Sequence, residues 1–518
     1  MTGIPTHRLV DLAAVTYDLF ADPMRSGWSR VAVQAGGVLG AVLAATVVAY
    51  LVAEGHPEMA LGLLLALPVA SIVLRNPLSA VAIWLVVTPF LVATDGGAIR
   101  MVYWLVHRTL PLVALANVLI GSALRIGDRR LPRLEWPELA MVGYLVVTQF
   151  SILFTAEDIM ASTYHLYDRV AVPMFLYLLV RLVQPDEDAV RRVLPIAVYV
   201  LLSQTAFGIL AWVAPQVLPS AWLGRIGLRT IGSLSHANIY GTTMLAVGLI
   251  VLHTGMSRDV WTGRRRLLLL FPLALVMVFM TYSRASWLAG IVVMLGLFAI
   301  YPRYITKLAV VSILIGVALL ASGRIDEQVE MAQNRFRSER SEESALSRLP
   351  VIAASIRMFQ EKPLLGWGYE SFDRYDQQFQ GAVGDLVVPE KDHASHNLYL
   401  TILSEQGLTG FVLYMGPAFW WLAATRTAWR TMPVKGFVGR KLLACLWLIL
   451  ASHVVVNNYS NMRVVYGLGI WWLTLGMIAS LVARYHPMAF ARSATENRSA
   501  HGAAASTTPG DTSLVDQR

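Results

Sequence analysis

Apolar runs of about 17–25 residues, the length that carries a helix across a bilayer, recur along nearly the whole chain. No other feature constrains the fold as strongly. A backbone inside lipid has to satisfy its own N–H and C=O groups, which leaves helices or closed barrels. Runs this long and continuous fit helices, not the alternating pattern of barrel strands. Charge composition agrees. Only 14% of the 518 residues are charged and the mean hydropathy is +0.56, whereas a soluble domain carries about 25% charged residues. The sequence therefore predicts an all-α polytopic membrane protein.

About fourteen runs qualify as spans: 32–53, 58–74, 77–94, 102–121, 137–155, 168–184, 193–214, 237–254, 266–282, 285–301, 304–322, 408–427, 440–458 and 464–484. The expectation is about 12–14 transmembrane helices. Residues 1–31 read as a cytosolic, amphipathic segment, because "MTGIPTHRLVDLAAVTYDLF" has neither a compact apolar core nor a small-residue cleavage site. Residues 32–321 hold the first eleven spans, 322–407 form one long loop, 408–484 hold the last three spans, and 485–518 read as a disordered cytosolic tail. The single cysteine, Cys445, lies inside an apolar run and excludes an intramolecular disulfide.

Lysine and arginine collect on one side of the alternating spans, in "RIGDRRLPR", "RRR", "YPRYITK" and the group Arg426, Arg430, Lys435, Arg440 and Lys441. Basic loops mark the cytoplasm. This bias accounts for the net charge of +9, and no nucleic-acid partner is implied. The opposite side then receives 215–238, the turn at "TYSRAS" and the long loop. A loop of that length inside a compact protein is usually functional. Within it, "SALSRLPVIAASIRMFQE" has helical apolar spacing and "KPLLGWGYESF" reads as a Pro/Gly turn.

The polar residues on that side each have a bland reading and a chemical one. Arg284 in "TYSRASWLAG" is either an interfacial anchor or an anion ligand, since a guanidinium offers a donor fork matched to phosphate. Arg229 in "LRTIGSLSHANIYG", followed by His236 and Asn238, is either a solvated loop charge or a second anion ligand. Arg348 and Arg357 sit in the long loop, where either can simply face water. In "SHNLYLTILSEQGLTG", Ser395 is expected to cap a short helix lying along the outer membrane surface, beginning at His396 and Asn397 and stopped by Gly407. A helix N-terminus keeps a histidine neutral, as a base requires. His393 and His396 also form an HxxH pair, but no third metal ligand accompanies them. Asp168 and Arg169, at the start of a span, are the exception to charges gathering at the outer ends.

Taken in order, "TYSRASWLAG", "SRLPVIAASIRMFQEKPLLGWGYESF" and "HNLYLTILSEQGLTG" resemble the O-antigen ligase/polymerase family, the Wzy-type and ligase-like glycosyltransferases. The diagnostic stretch runs from Leu228 to Gly410; the other spans match in general character only. The resemblance implies a GT-C-like membrane enzyme with its site facing the periplasm of the bacterial inner membrane. It would transfer a polyprenyl-pyrophosphate-linked glycan to an acceptor hydroxyl, needing no metal or cofactor, in O-antigen or exopolysaccharide synthesis. The acceptor would be another lipid-linked repeat in a polymerase and lipid A-core in a ligase. On the family pattern His396 and Arg284 are catalytic. Arg229, Arg348, Asn238, Asn397 and Glu405 bind substrate or support its binding, and Gly366 and Gly368 shape the turn before the site. Where the family often has Pro-Asn, this chain has "HAN" at 236–238. Two other readings stay open: a flippase or transporter for lipid-linked glycan, and a non-catalytic polysaccharide assembly protein.

Overall fold

The computed structural model describes residues 46, 68–91, 97–124, 131–224, 229–257, 264–322, 330, 333, 348–380, 395–460 and 463–505. Segment 1–31, most of the first two expected spans and His393 lie outside the described residues. Among the described residues every regular element is a helix. Seven helices are long and apolar enough to cross a membrane, and three shorter ones are also apolar.

In chain order the helices are α1 (Leu78–Leu91), α2 (Gly97–Tyr103 and Leu110–Ala123), α3 (Trp136–Thr155), α4 (Ile159–Leu166 and Val172–Val183) and α5 (Glu187–Val213). Then come α6 (Ala237–Met256), α7 (Leu270–Phe279), α8 (Arg284–Ile300) and α9 (Pro302–Ala321). The long loop contributes α10 (Arg348–Glu361) and α11 (Phe372–Phe379). The chain closes with α12 (Leu398–Thr431), α13 (Arg440–Asn457) and α14 (Val465–Ala505). The interior is built on two helices. The apolar stretch of α6 is 83% buried and that of α14 is 89% buried. Helices α5, α7, α8 and α13 pack on α6, and α4, α12 and α13 pack on α14.

The two ends of the bundle differ in charge. At one end Arg484 donates to the carbonyls of Gln184 and Pro185, Arg440 to that of Arg430 and Arg181 to that of Arg133. The opposite end holds residues 214–224 and 229–236, the turn at 280–284, α10 and α11, and residues 458–460 and 463–464 between α13 and α14.

Two of the long helices contain a π-helical segment, Trp104–Thr109 in α2 and Tyr167–Ala171 in α4. Each inserts an extra residue into the helical turn. The two segments face each other and are tied together. Arg108 grips Asp168 with two hydrogen bonds of 2.6 Å, His107 Nε2 lies 3.0 Å from the Asp168 carbonyl, and Tyr167 donates to the Arg108 carbonyl. Asp168 and Arg169 therefore lie inside a helix that begins at Ile159, not at the start of a span as expected from the sequence. The two charges read as a boundary, but partners on other elements neutralise them.

The tail also differs from expectation. Helix α14 continues to Ala505, into the segment read as disordered. A helix that already exists extends without a new nucleation cost, and "ARSATENRSAHGAAA" is rich in alanine, the best helix former.

Helix α12 is two helices joined at a kink. Gly407 has φ 63° and ψ −164°, outside the helical region, and serves as the stop expected of it. The break frees backbone groups on both sides, and the turn after α10 takes them up. Trp367 N–H donates to Ser404 O and Gly368 N–H to Glu405 O, at 3.0 and 2.7 Å. Leu408 N–H donates to Pro363 O and Thr409 N–H to Leu364 O, at 2.8 and 3.1 Å. The two backbones approach so closely that a Cβ on Gly407 would sit 2.4 Å from Leu364 backbone atoms, and one on Gly366 would sit 2.4 Å from the backbone at 405–406. Gly407→Ala is therefore expected to combine left-handed strain, on the order of 1–3 kcal/mol, with a backbone collision, and to lower the melting temperature of the purified protein clearly. Gly436→Ala, also at positive φ but with open space around it, is expected to show the strain alone in the same melt.

Candidate functional site

Two helix starts are joined at the end opposite the basic loops, and a third lies at the same end. Helix α6 starts after His236, whose Nδ1 accepts from the Asn238 N–H at 3.2 Å. Helix α8 starts after Ser283, whose hydroxyl accepts from the Ser286 N–H and donates to the Asn238 side-chain oxygen. This second bond joins the two starts. A strut beside it aligns the chain before α6 with the turn before α8. Thr230 N–H donates to Met280 O and Arg229 Nε to Thr281 O, both at 3.1 Å. Gln204 of α5 holds the same loop through both the hydroxyl and the N–H of Ser233. Arg229 and Arg284 thus leave adjoining backbone segments, and both are half-buried.

The third start belongs to α12. The cap is Asn397, not Ser395 as expected. Asn397 Oδ1 accepts from the N–H groups of Tyr399 and Leu400, each at 3.0 Å, and its amide donates to Asn458 O. Ser395 instead bonds the Thr401 hydroxyl. The cap shifts because His396 adopts φ 48°, which turns the chain before the helix begins. His396 lies near enough to the α6 start to influence His236, as Arg229 also does. The ring is exposed on one side, but desolvation by the surrounding chain, with those two neighbours, pushes the His236 pKa down to about 4. His236 is therefore neutral at neutral pH.

Backbone strain is concentrated here. Ser235, Tyr282, Glu370 and His396 are non-glycine residues at positive φ, and each lies in a loop at this end. Such residues collect at functional sites. Helix N-termini carry partial positive charge. The joined α6 and α8 starts therefore carry partial positive charge beside the backbone segments that bear Arg229 and Arg284.

The other expected residues are placed differently. Arg348 is the first residue of α10, which packs on α11 and α12. Glu405 is only 2% exposed and pairs with Arg463, also accepting from the Phe372 N–H at 3.4 Å. It holds the turn and the link after α13 to the broken helix. Asn397 is likewise engaged as cap and bridge. Sequence reading missed Arg463, Glu370 and Tyr369. Glu370 pairs with Arg169 at 2.8 Å and His165 at 2.9 Å. The signal for Arg463 was the polar run "NNYSNMR" between two apolar spans on the same side. Among the described residues no three of His, Cys, Asp and Glu cluster as metal ligands.

Residues 268–415 match the family model described as O-Antigen ligase. The matched stretch runs from the turn before α7 into α12 and includes Arg284, Arg348, His396, Asn397 and Glu405. Arg229, Asn238 and Arg463 lie outside it. No curated protein matches the chain.

Two outcomes follow from these contacts. Removing one partner of a buried ion pair typically costs about 3–5 kcal/mol. Glu405→Ala is expected to lower thermal stability by that order, and the double variant Glu405→Gln, Arg463→Met to recover much of it in the same unfolding assay. For His236 the folded pKa of about 4 lies below the ordinary 6.5, so the unfolded chain takes up the proton first. Stability from the neutral ring is complete above about pH 6.5 and falls as pH drops toward 4. Because His236 is exposed and solvent screens it, the fall in melting temperature across that window should be small, and His236→Asn, which keeps a capping acceptor, should flatten it.

Proposed function

We propose that the protein is a glycosyltransferase of polysaccharide assembly that uses a polyprenyl-pyrophosphate-linked glycan as donor. The observation that carries this reading is the joining of the Arg229 segment to the Arg284 helix start at the end of a membrane-spanning bundle that also holds the His396 turn. The family match over 268–415 supports it. Basic residues gather at the other end, and basic ends face the cytoplasm, so the site is assigned to the periplasmic face of the inner membrane. An acceptor hydroxyl oxygen bonds to the anomeric carbon as the bond from that carbon to the pyrophosphate oxygen breaks. Polyprenyl pyrophosphate leaves, and His396 takes the hydroxyl proton. Arg229 and Arg284, with the helix starts, neutralise the charge that grows on the leaving group, a role a divalent ion plays elsewhere.

A transporter reading draws on the Arg108–Asp168 pair within the helices, since intramembrane charge often marks a transport path. That pair is, however, closed by two direct hydrogen bonds and two flanking ones.

The test is transfer by purified protein in detergent, supplied with lipid-linked donor and acceptor. Arg284→Ala is expected to abolish transfer in folded protein, and Arg284→Lys to restore it only partly, because lysine lacks the fork. His396→Ala is expected to lower the rate by roughly 10²–10⁴, the range for loss of a general base, with donor binding retained. Near-normal turnover by folded Arg284→Ala or His396→Ala would overturn the assignment. Absence of transfer by the wild type, with donor movement in vesicles, would favour the transporter.

A further inference from the structure

At the basic end of the bundle the second half of α12 carries a two-part surface. Phe419, Leu422, Arg426 and Trp429 are all exposed. Their spacing of three and four places them on one face of the helix, and exposed Arg430 lies one turn beyond Arg426. The face changes character along its length. It is apolar at 419 and 422 and basic from 426 onward. At 1.5 Å per residue the apolar pair lies roughly 6–10 Å from Arg426, toward the middle of the helix. A phospholipid has the same order, with acyl chain first and headgroup at the end.

The loop after α12 is fixed in place beside this face. Arg440 N–H donates to Pro433 O at 3.0 Å, and Arg440 Nη2 donates to Arg430 O at 3.1 Å. Phe437 is buried, and its carbonyl accepts from His253 Nε2 of α6 at 2.8 Å. The Arg440 guanidinium lies 5.8 Å from the Trp429 ring centroid. Val434 and Lys435 are left exposed at the tip.

The positive charge of this surface has no acidic counterpart in its own segment. No aspartate or glutamate occurs from 406 to 495. On neighbouring elements Glu187 and Asp188 pair with Arg191, and Glu135 and Glu138 with Arg181. Topology alone needs basic residues only in the loop. Arg426 is inside the helix, one turn nearer the lipid than Arg430 and one turn from Leu422.

We propose that this surface binds an anionic glycerophospholipid, with the phosphate against Arg426, Arg430 and Lys435 and an acyl chain along Phe419 and Leu422. A zwitterionic headgroup brings its own cation to the same arginines and is bound less well. Clusters of lysine and arginine beside a membrane helix attract anionic headgroups in this way.

The probes are dioleoylphosphatidylglycerol and dioleoylphosphatidylcholine, titrated into delipidated full-length protein in detergent, with bound lipid counted by native mass spectrometry. The wild type is expected to bind the anionic lipid about tenfold more tightly or better. Arg426→Gln is expected to weaken that binding about fivefold, the scale of one basic residue near anionic headgroups, with an unchanged melting temperature and unchanged phosphatidylcholine binding. Arg430→Gln should show the same loss, and Arg426→Lys should keep most of the affinity. Arg266→Gln removes an exposed arginine at the same end, before α7, and should leave the affinity as it is. Inorganic phosphate should not displace the lipid, because it lacks the acyl chain. Equal binding of the two lipids, equal losses in Arg426→Gln and Arg266→Gln, or displacement by inorganic phosphate would each overturn the proposal.

Discussion

A helix broken near lipid exposes backbone groups that lipid cannot solvate. At Gly407 the chain breaks such a helix, and the 363–368 turn accepts and donates the hydrogen bonds that the break releases. The rest of the site depends on this exchange. It fixes the first half of α12, which begins at the His396 turn, against the long loop, and it brings Glu405 within reach of Arg463. Glycine is needed on both sides because two backbones meet with no room for a side chain. The loop is thereby built into the membrane domain, with Arg374 donating to the Thr155 carbonyl and Tyr369 N–H bonding Ser151 at the end of α3.

Around that joint, polar groups sort by role. The α6 and α8 starts are joined beside Arg229, while Arg169 and Arg463 are matched by Glu370 and Glu405. Left-handed residues at 235, 282, 370 and 396 mark the places where the chain turns sharply to achieve this. Strain of this kind persists only when surrounding contacts over-determine it. Here Gln204, the 229–281 strut and the Asn397 cap do so.

Much of the fold was legible from hydropathy. The spans expected at 137–155, 237–254 and 440–458 correspond to Trp136–Thr155, Ala237–Met256 and Arg440–Asn457. Local rules also foresaw the loop helix ending at Glu361, the turn after it and the stop at Gly407. The contacts that join distant segments were not legible. The Glu405–Arg463 pair could not be read because the partner lies 58 residues away in a short link. Asn397 and Ser395 are both good caps by type, and only the backbone angle of His396 decides between them. Asp168 and Arg169 read as a helix start because sequence gives no sign of Arg108 and Glu370 across the gap.

The paired π-helical segments have a consequence for how such a chain can change. An extra residue rotates everything beyond it by about 100° around the helix axis. That rotation lets the neighbours Asp168 and Arg169 serve separate partners, one in α2 and one in the long loop. Losing the extra residue from α4 alone would swing Asp168 away from Arg108, and losing it from α2 alone would swing Arg108 away from Asp168. Either deletion would unpair a charge within the helices, so the lengths of two helices are coupled through one contact between residues sixty positions apart.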